Sequence, residues 1–181
     1  MSNTNAYEIW ISMHWVFFLH VQSLIICLLR FQAAIDEGNI PKARVELNAA
    51  ITLLLASGSA MTLAGGFPRE AYETEVRGLM VPPNVAVANF SGLLSADHAD
   101  LIKLWKQLTP YFKNLPPELK IEHRNFKAAY LELAAGHRAV CDKFGGGDAP
   151  SLRSQTTALD ELDKFEKARL KLIDPVRKPA P

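Results

Sequence analysis

The residues of this chain best suited to chemistry are its five histidines and two cysteines. In "NFKAAYLELAAGHRAVCDKFGGG", Phe126, Tyr130, Leu133, His137, Val140 and Phe144 recur every three or four residues, which puts His137 on the buried stripe of a helix and Cys141 one turn further along the same face. An imidazole there is either a core histidine bonded to a carbonyl or an axial ligand to the iron of a macrocycle. Gly136 favours the ligand, because a glycine inside a helix costs about 1 kcal/mol relative to alanine and gives a flat group room to approach the backbone. His14 and His20 lie in the uncharged run "WISMHWVFFLHVQSLIICLL". Six residues apart, they point about 120° away from each other on an α-helix, so at most one of them faces a given site. No His-Glu-x-x-His, Glu-x-x-His or nucleophile elbow occurs, which argues against zinc hydrolases, di-iron bundles and serine esterases. Buried histidines on separate helices, few core acids and many aromatics read as a haem pocket.

The elements that must position these groups all read as helices. The chain has 181 residues, 49% hydrophobic and 22% charged, which suits one domain with a substantial core. The first helix spans about residues 6–37 and ends at Gly38-Asn39. A second opens near Asn39-Ile40-Pro41 and carries Ala43, Leu47, Ile51, Leu54 and Met61 inward as far as Gly65-Gly66. A shorter helix over 68–80 precedes the loop "VPPNVAVANFSGLL". Ser95 is the expected N-cap of a helix whose Leu101, Leu104, Trp105 and Leu108 face the core. Pro116-Pro117 start a long helix to about residue 144, "GGGDAP" breaks it, a charged helix runs over 154–173, and residues 174–181 fray. With no period-two segment, the expectation is a single all-α domain over 1–181, a helical bundle. His98 and His123, in polar surroundings, are expected at the surface.

Several partners are disfavoured by the same numbers. A net charge of +1 without a Lys/Arg stripe argues against nucleic acid. Two cysteines make no disulfide scaffold, and neither a basic region nor a cleavage site flanks the apolar run, so a cytoplasmic protein is expected. The run Ile9–Leu29 is long enough to span a bilayer. However, Ser12, His14, His20, Gln22 and Ser23 scatter around it and only Arg30 flanks it, so the reading is no membrane and a helix covered on most sides by protein.

Four segments, in order, resemble the tryptophan 2,3-dioxygenases. "WISMHWVFFLHVQSLIICLLRFQAAIDEGNIPKA" looks like that family's Phe-Ile-x-x-His-Gln-x-x-Glu-Leu-Trp helix, with His14 in the place of the distal histidine. "GGFPREAYETEVRGLM" resembles its Asp-Phe-x-x-Phe-Arg-Asp-x-Leu segment, with Arg77 matching the arginine that grips the substrate carboxylate. "ANFSGLLSADHADL" is similar to its Ser-Gly-Phe-Gln-Ser stretch through Ser91-Gly92 and Ser95. "GHRAVCDKFGGGDAPSL" resembles the proximal helix and glycine-rich loop, which makes His137 the iron ligand and sets Gly145, Gly146 and Gly147 over the substrate. The chain departs from the pattern at Trp15 and at Phe18-Leu19-His20, and its central stretch is short. These departures move the resemblance toward the wider superfamily of haem-dependent aromatic oxygenases, which includes tyrosine hydroxylases with a His-x-x-x-Cys motif. His137 and Cys141 have that spacing, and residues i and i+4 share a helix face.

The resemblance implies haem b, attached through Cys141 in the His-x-x-x-Cys type, and an oxygenase acting on an aromatic amino acid with O2 or peroxide. Arg77 would clamp the carboxylate, Trp10, Phe17 and Phe18 would line a dry distal face, and His14 would hydrogen-bond bound oxygen or substrate. His20 is a second distal ligand or simply core. An apolar first helix makes a homodimer the expected assembly. Two other readings stay open on the residues alone: a haem-binding sensor without turnover, and a cofactor-free oligomeric bundle.

Overall fold

A computed structural model describes residues 5–85, 95–145 and 158–175. Its helices are α1 (Ala6–Asp36), α2 (Ile40–Ala64), α3 (Arg69–Ala71), α4 (Ala96–Lys113), α5 (Lys120–Gly145) and α6 (Ala158–Ile173). Among the described residues there is no strand, so the fold is the all-α bundle that the helical periodicity predicts.

Local chemistry sets the boundaries. The side chains of Asn5, Asn39 and Ser95 accept hydrogen bonds from the backbone N–H of Glu8, Lys42 and His98, capping α1, α2 and α4. Gly38, at φ +69°, supplies the left-handed residue that turns α1 back along α2. The segment expected to be one helix over 68–80 differs. After the single turn of α3 the chain widens into a π-type turn over Tyr72–Val76 and then tightens into a 3-10 turn over Arg77–Leu79. Docking explains the irregularity: Val76 is buried against Ala6, Phe67 and Phe144, and a Glu75 carboxylate oxygen accepts the Ala6 N–H at 2.8 Å.

α1 and α2 form an antiparallel hairpin, α5 crosses α2, α4 packs on α1, and α6 spans α4 and α5. The rings of Phe31, Phe112 and Phe126 stack in sequence at 5.9 and 5.8 Å, tying α1, α4 and α5 together at the centre. His123, expected at the surface, is half-buried at the edge of this core: its ring stacks on Phe112 at 5.0 Å, and Nε2 hydrogen-bonds the carbonyl of Ile173. The amphipathic face of α5 carried that histidine inward despite its polar neighbours. Gly136 is also reassigned. A Cβ there would meet the Gly58 carbonyl oxygen at 3.4 Å, and one on Gly58 would meet the Leu133 Cα at 3.4 Å. The two glycines let α2 and α5 approach closely, so the space beside Gly136 is filled by α2 and not by a macrocycle.

α1 is less enclosed than its composition suggests. Val21, Leu24, Leu28, Phe31 and Ala34 are buried, while Ile11, Trp15, Leu19, Ile26 and Leu29 are exposed. By length and composition α1 and α2 are both apolar enough to cross a membrane. The expectation of a first helix covered on most sides is therefore corrected: α2 and α4 cover one side of it only.

Candidate active site

Five helices converge on a cavity of about 120 Å³. α1 contributes His14, Phe17, Phe18, Val21 and Leu24; α2 contributes Leu54, Ser57 and Met61; α4 contributes His98, Leu101 and Trp105. α5 adds Tyr130, Leu133, Ala134, His137 and Arg138, and α6 closes the wall with Leu162, Glu166 and Arg169. The lining is mostly apolar, with histidines from three helices and two guanidinium groups on the α5–α6 side.

The protonation of these histidines follows from their contacts. A carbonyl oxygen can only accept, so the 2.7 Å contact between His14 Nδ1 and the Trp10 carbonyl places a proton on Nδ1 and leaves Nε2 with its lone pair. Burial lowers the His14 pKa, partly offset by that bond. His137 makes no hydrogen bond among the described residues, and its pKa is pushed down to about 4, first by burial and then by the charges of Arg169 and His14. His98 Nε2 lies 2.6 Å from Arg169 Nη2; a guanidinium can only donate, so this nitrogen accepts and the ring is neutral. His14 and His137 are thus neutral imidazoles near pH 7, the form that binds metals.

This arrangement makes stability depend on pH. With His137 near 4 when folded and about 6.5 when unfolded, the unfolded chain takes up the proton first as pH falls. The stability of the neutral state is complete above pH 6.5 and is lost between pH 6.5 and 4. The full loss from this group is about 3 kcal/mol, and His14, shifted in the same direction, adds to it. Thermal unfolding from pH 7.5 to 4 should show a falling midpoint that flattens in His137→Gln; an unchanged slope in the variant would refute the assignment.

The expected residues separate into those the fold gathers and those it does not. His14, Phe17, Phe18 and His137 line one cavity. Arg77 does not: its side chain is 56% exposed and sits 3.6 Å from Glu73. Its assignment rested on the resemblance alone, and here it follows a π-type turn over Tyr72–Val76 and lies in a 3-10 turn outside the cavity lining. Trp10 packs instead in a second aromatic cluster, with Phe67, Tyr72 and Phe144, where Tyr72 and Phe144 stack at 4.4 Å. From there its ring holds that of His14 at 4.3 Å. Cys141 lies beyond the cavity near Tyr72, and burial raises its thiol pKa. His20 points away from the cavity, half-buried, with Nδ1 unpartnered, as the 120° separation from His14 requires. Ser91 and Gly146 fall outside the described residues.

His98, Arg138 and Arg169 are cavity residues that the sequence reading missed. A signal existed for His98: it precedes Leu101 and Trp105 by three and seven residues, the spacing of one helix face. Leu162, Glu166, Arg169 and Ile173 repeat the pattern on α6. Arg138 is held by Asp163 and Glu166 of α6. The Trp105 indole Nε1 is buried at the cavity wall without a hydrogen-bond partner.

A family model described as SfmD 3-methyl-L-tyrosine peroxygenase matches residues 1–122. The chain belongs to the SfmD 3-methyl-L-tyrosine peroxygenase family. Over 173 residues it is 29% identical to a 3-methyl-L-tyrosine peroxygenase from Streptomyces lavendulae, covering 93% of this chain and 47% of that protein. The chain therefore spans about half the length of this curated relative. No solved structure matches it. The residues matched by the family model include His14, Trp15 and His98 and end before His137 and Cys141.

Proposed function

We propose that this chain forms the haem pocket of an oxidoreductase that transfers oxygen from peroxide to the ring of a tyrosine-type amino acid. The observation that carries this reading is that His14 and His137, two neutral imidazoles from different helices, share one apolar cavity. Such donors suit iron porphyrin chemistry, and Arg138 and Arg169 suit the carboxylates that both haem and an amino acid carry. The room in this packing is that of a single aromatic ring, since a cavity near 150 Å³ holds benzene. Entry of a tetrapyrrole requires the walls to part.

In this reading His137 would hold the iron from α5, and haem, when bound, would supply the activation of peroxide for oxygen transfer. The chain's own groups do the rest. Phe17 and Phe18 give the substrate ring a dry wall. His14 Nε2, free to accept, takes a proton from peroxide or from the phenol, while its Nδ1–H stays anchored on Trp10. Arg169 meets the substrate carboxylate in the place first assigned to Arg77, and that positioning lowers the barrier. Cytoplasmic residence is proposed with this function, Cys27 and Cys141 both being free thiols.

Hemin titrated into the purified chain should produce a Soret band, and L-tyrosine or 3-methyl-L-tyrosine should then perturb it. Arg169→Ala should weaken that response to the amino acid at least tenfold, while Arg77→Ala leaves it unchanged. A chain indifferent to hemin overturns the proposal; the opposite ranking of the two arginines overturns the carboxylate assignment.

A further inference from the structure

On α1, residues 8, 12, 15, 19, 22, 26, 29 and 33 are all exposed. Their spacing alternates four and three without a break, the 3.5-residue repeat of a coiled-coil seam. The occupants are Glu8, Ser12, Trp15, Leu19, Gln22, Ile26, Leu29 and Ala33. Trp15 is 66% exposed and Leu19 59%, high values for side chains of this kind. The seam lies more than a right angle round the helix from His14, Phe17 and Val21 and about 70° from Phe18, and none of its residues lines the cavity. On α2, Val45 and Leu63 are exposed as well, and a groove lined by Glu8, Ser12 and Met13 of α1, Leu63 of α2 and Gly66 just beyond it joins the two helices on this side.

We infer that this face binds the same face of a second copy of the chain, with the two α1 helices antiparallel. The exposed apolar side chains of α1, with Val45 and Leu63 of α2, present on the order of 700 Å², close to what each partner of a standard interface contributes. Charge selects the orientation. Glu8 and Arg30 are exposed at opposite ends of α1, and neither takes part in a salt bridge within the described residues. A parallel pair would set Glu8 against Glu8 and Arg30 against Arg30. Antiparallel packing in the register that fills the seam sets Trp15 against Ile26, Leu19 against Gln22 and Ser12 against Leu29. It also brings Glu8 beside Ala33, one turn from Arg30 of the other copy. A lipid-facing helix needs no such narrow seam and would not carry Glu8 and Gln22 within it.

The test is sedimentation equilibrium of the full chain in detergent-free buffer. A mass twice the 20.1 kDa of the chain is expected. Leu19→Lys with Ile26→Lys should give the single-chain mass with its helical circular dichroism intact. Glu8→Arg alone should weaken the dimer about tenfold, and adding Arg30→Glu should restore it. A single-chain mass for the unaltered protein overturns the proposal, as does a dimer that survives both lysines. So does a chain that sediments only with phosphatidylcholine–phosphatidylglycerol vesicles. If the double charge reversal fails to rescue the dimer, the antiparallel register is wrong.

Discussion

His137→Ala should abolish the Soret band formed on adding hemin, while Cys141→Ala keeps the band but loses any covalent attachment. His137 makes no hydrogen bond among the described residues, and the low pKa of about 4 means that no proton competes for its free nitrogen near neutrality. Losing it removes the proposed axial ligand outright, so a loss of hemin affinity of a hundredfold or more is expected. Cys141 stands one turn beyond, by Tyr72, outside the cavity wall. It can reach only the edge of a bound macrocycle, and burial keeps it a poor nucleophile until one is there. Intact mass after acid denaturation separates the two roles: the unaltered holo-protein should carry the mass of haem, and Cys141→Ala should not. Retention of the Soret band by His137→Ala would assign the iron elsewhere, with His14 the next candidate.

Phe112→Ala should be among the most damaging substitutions for stability. Phe112 is 5% exposed and stands between Phe31 and Phe126, with His123 stacked on it as well. Removing the ring empties the junction of α1, α4 and α5, for which large-to-small core changes cost about 3–5 kcal/mol. For a chain of this length that corresponds to a fall in melting temperature of roughly 10 °C. Phe112→Leu, which retains most of the volume, should lose about a third as much. Circular dichroism melts of the two variants check this. A cost for Phe112→Ala no larger than that of Phe112→Leu would mean that the stack does not hold the bundle together. The same junction sets the distance between α1 and α5, so Phe112→Ala should also weaken hemin binding although it touches no part of the cavity.

How far the site was legible depends on how local its determinants are. His137 was legible because Phe126, Tyr130 and Leu133 set the phase of α5 ahead of it, and a regular helix carries that phase forward. The 120° separation of His14 and His20 showed that only one of them could face a given site, and the resemblance pointed to His14, which is the one that lines the cavity. Arg77 was assigned by resemblance to a motif alone, and a motif match carries no information on which side chains share a cavity; it lies outside the cavity lining. Gly136 was misread because a glycine on a helix reports a close approach without naming what approaches; here it was Gly58 of α2. Arg169 was invisible as a site residue because its partner His98 is 71 positions away.

The sequence by itself determined the long helices, the starts of α2 and α4 at Asn39 and Ser95 and the inward phase of α2, α4 and α5, because hydrogen-bond geometry and apolar spacing act within a few residues. It also determined the family. Only the tertiary structure decided which inward residues share a cavity: His14, His98, His137 and Arg169 come from four helices, and their meeting depends on how those helices pack. It decided too that Trp15, Leu19, Ile26 and Leu29 stay outside. Apolar character drives a side chain to leave water, but only the packing of neighbouring helices determines whether it finds cover within its own chain.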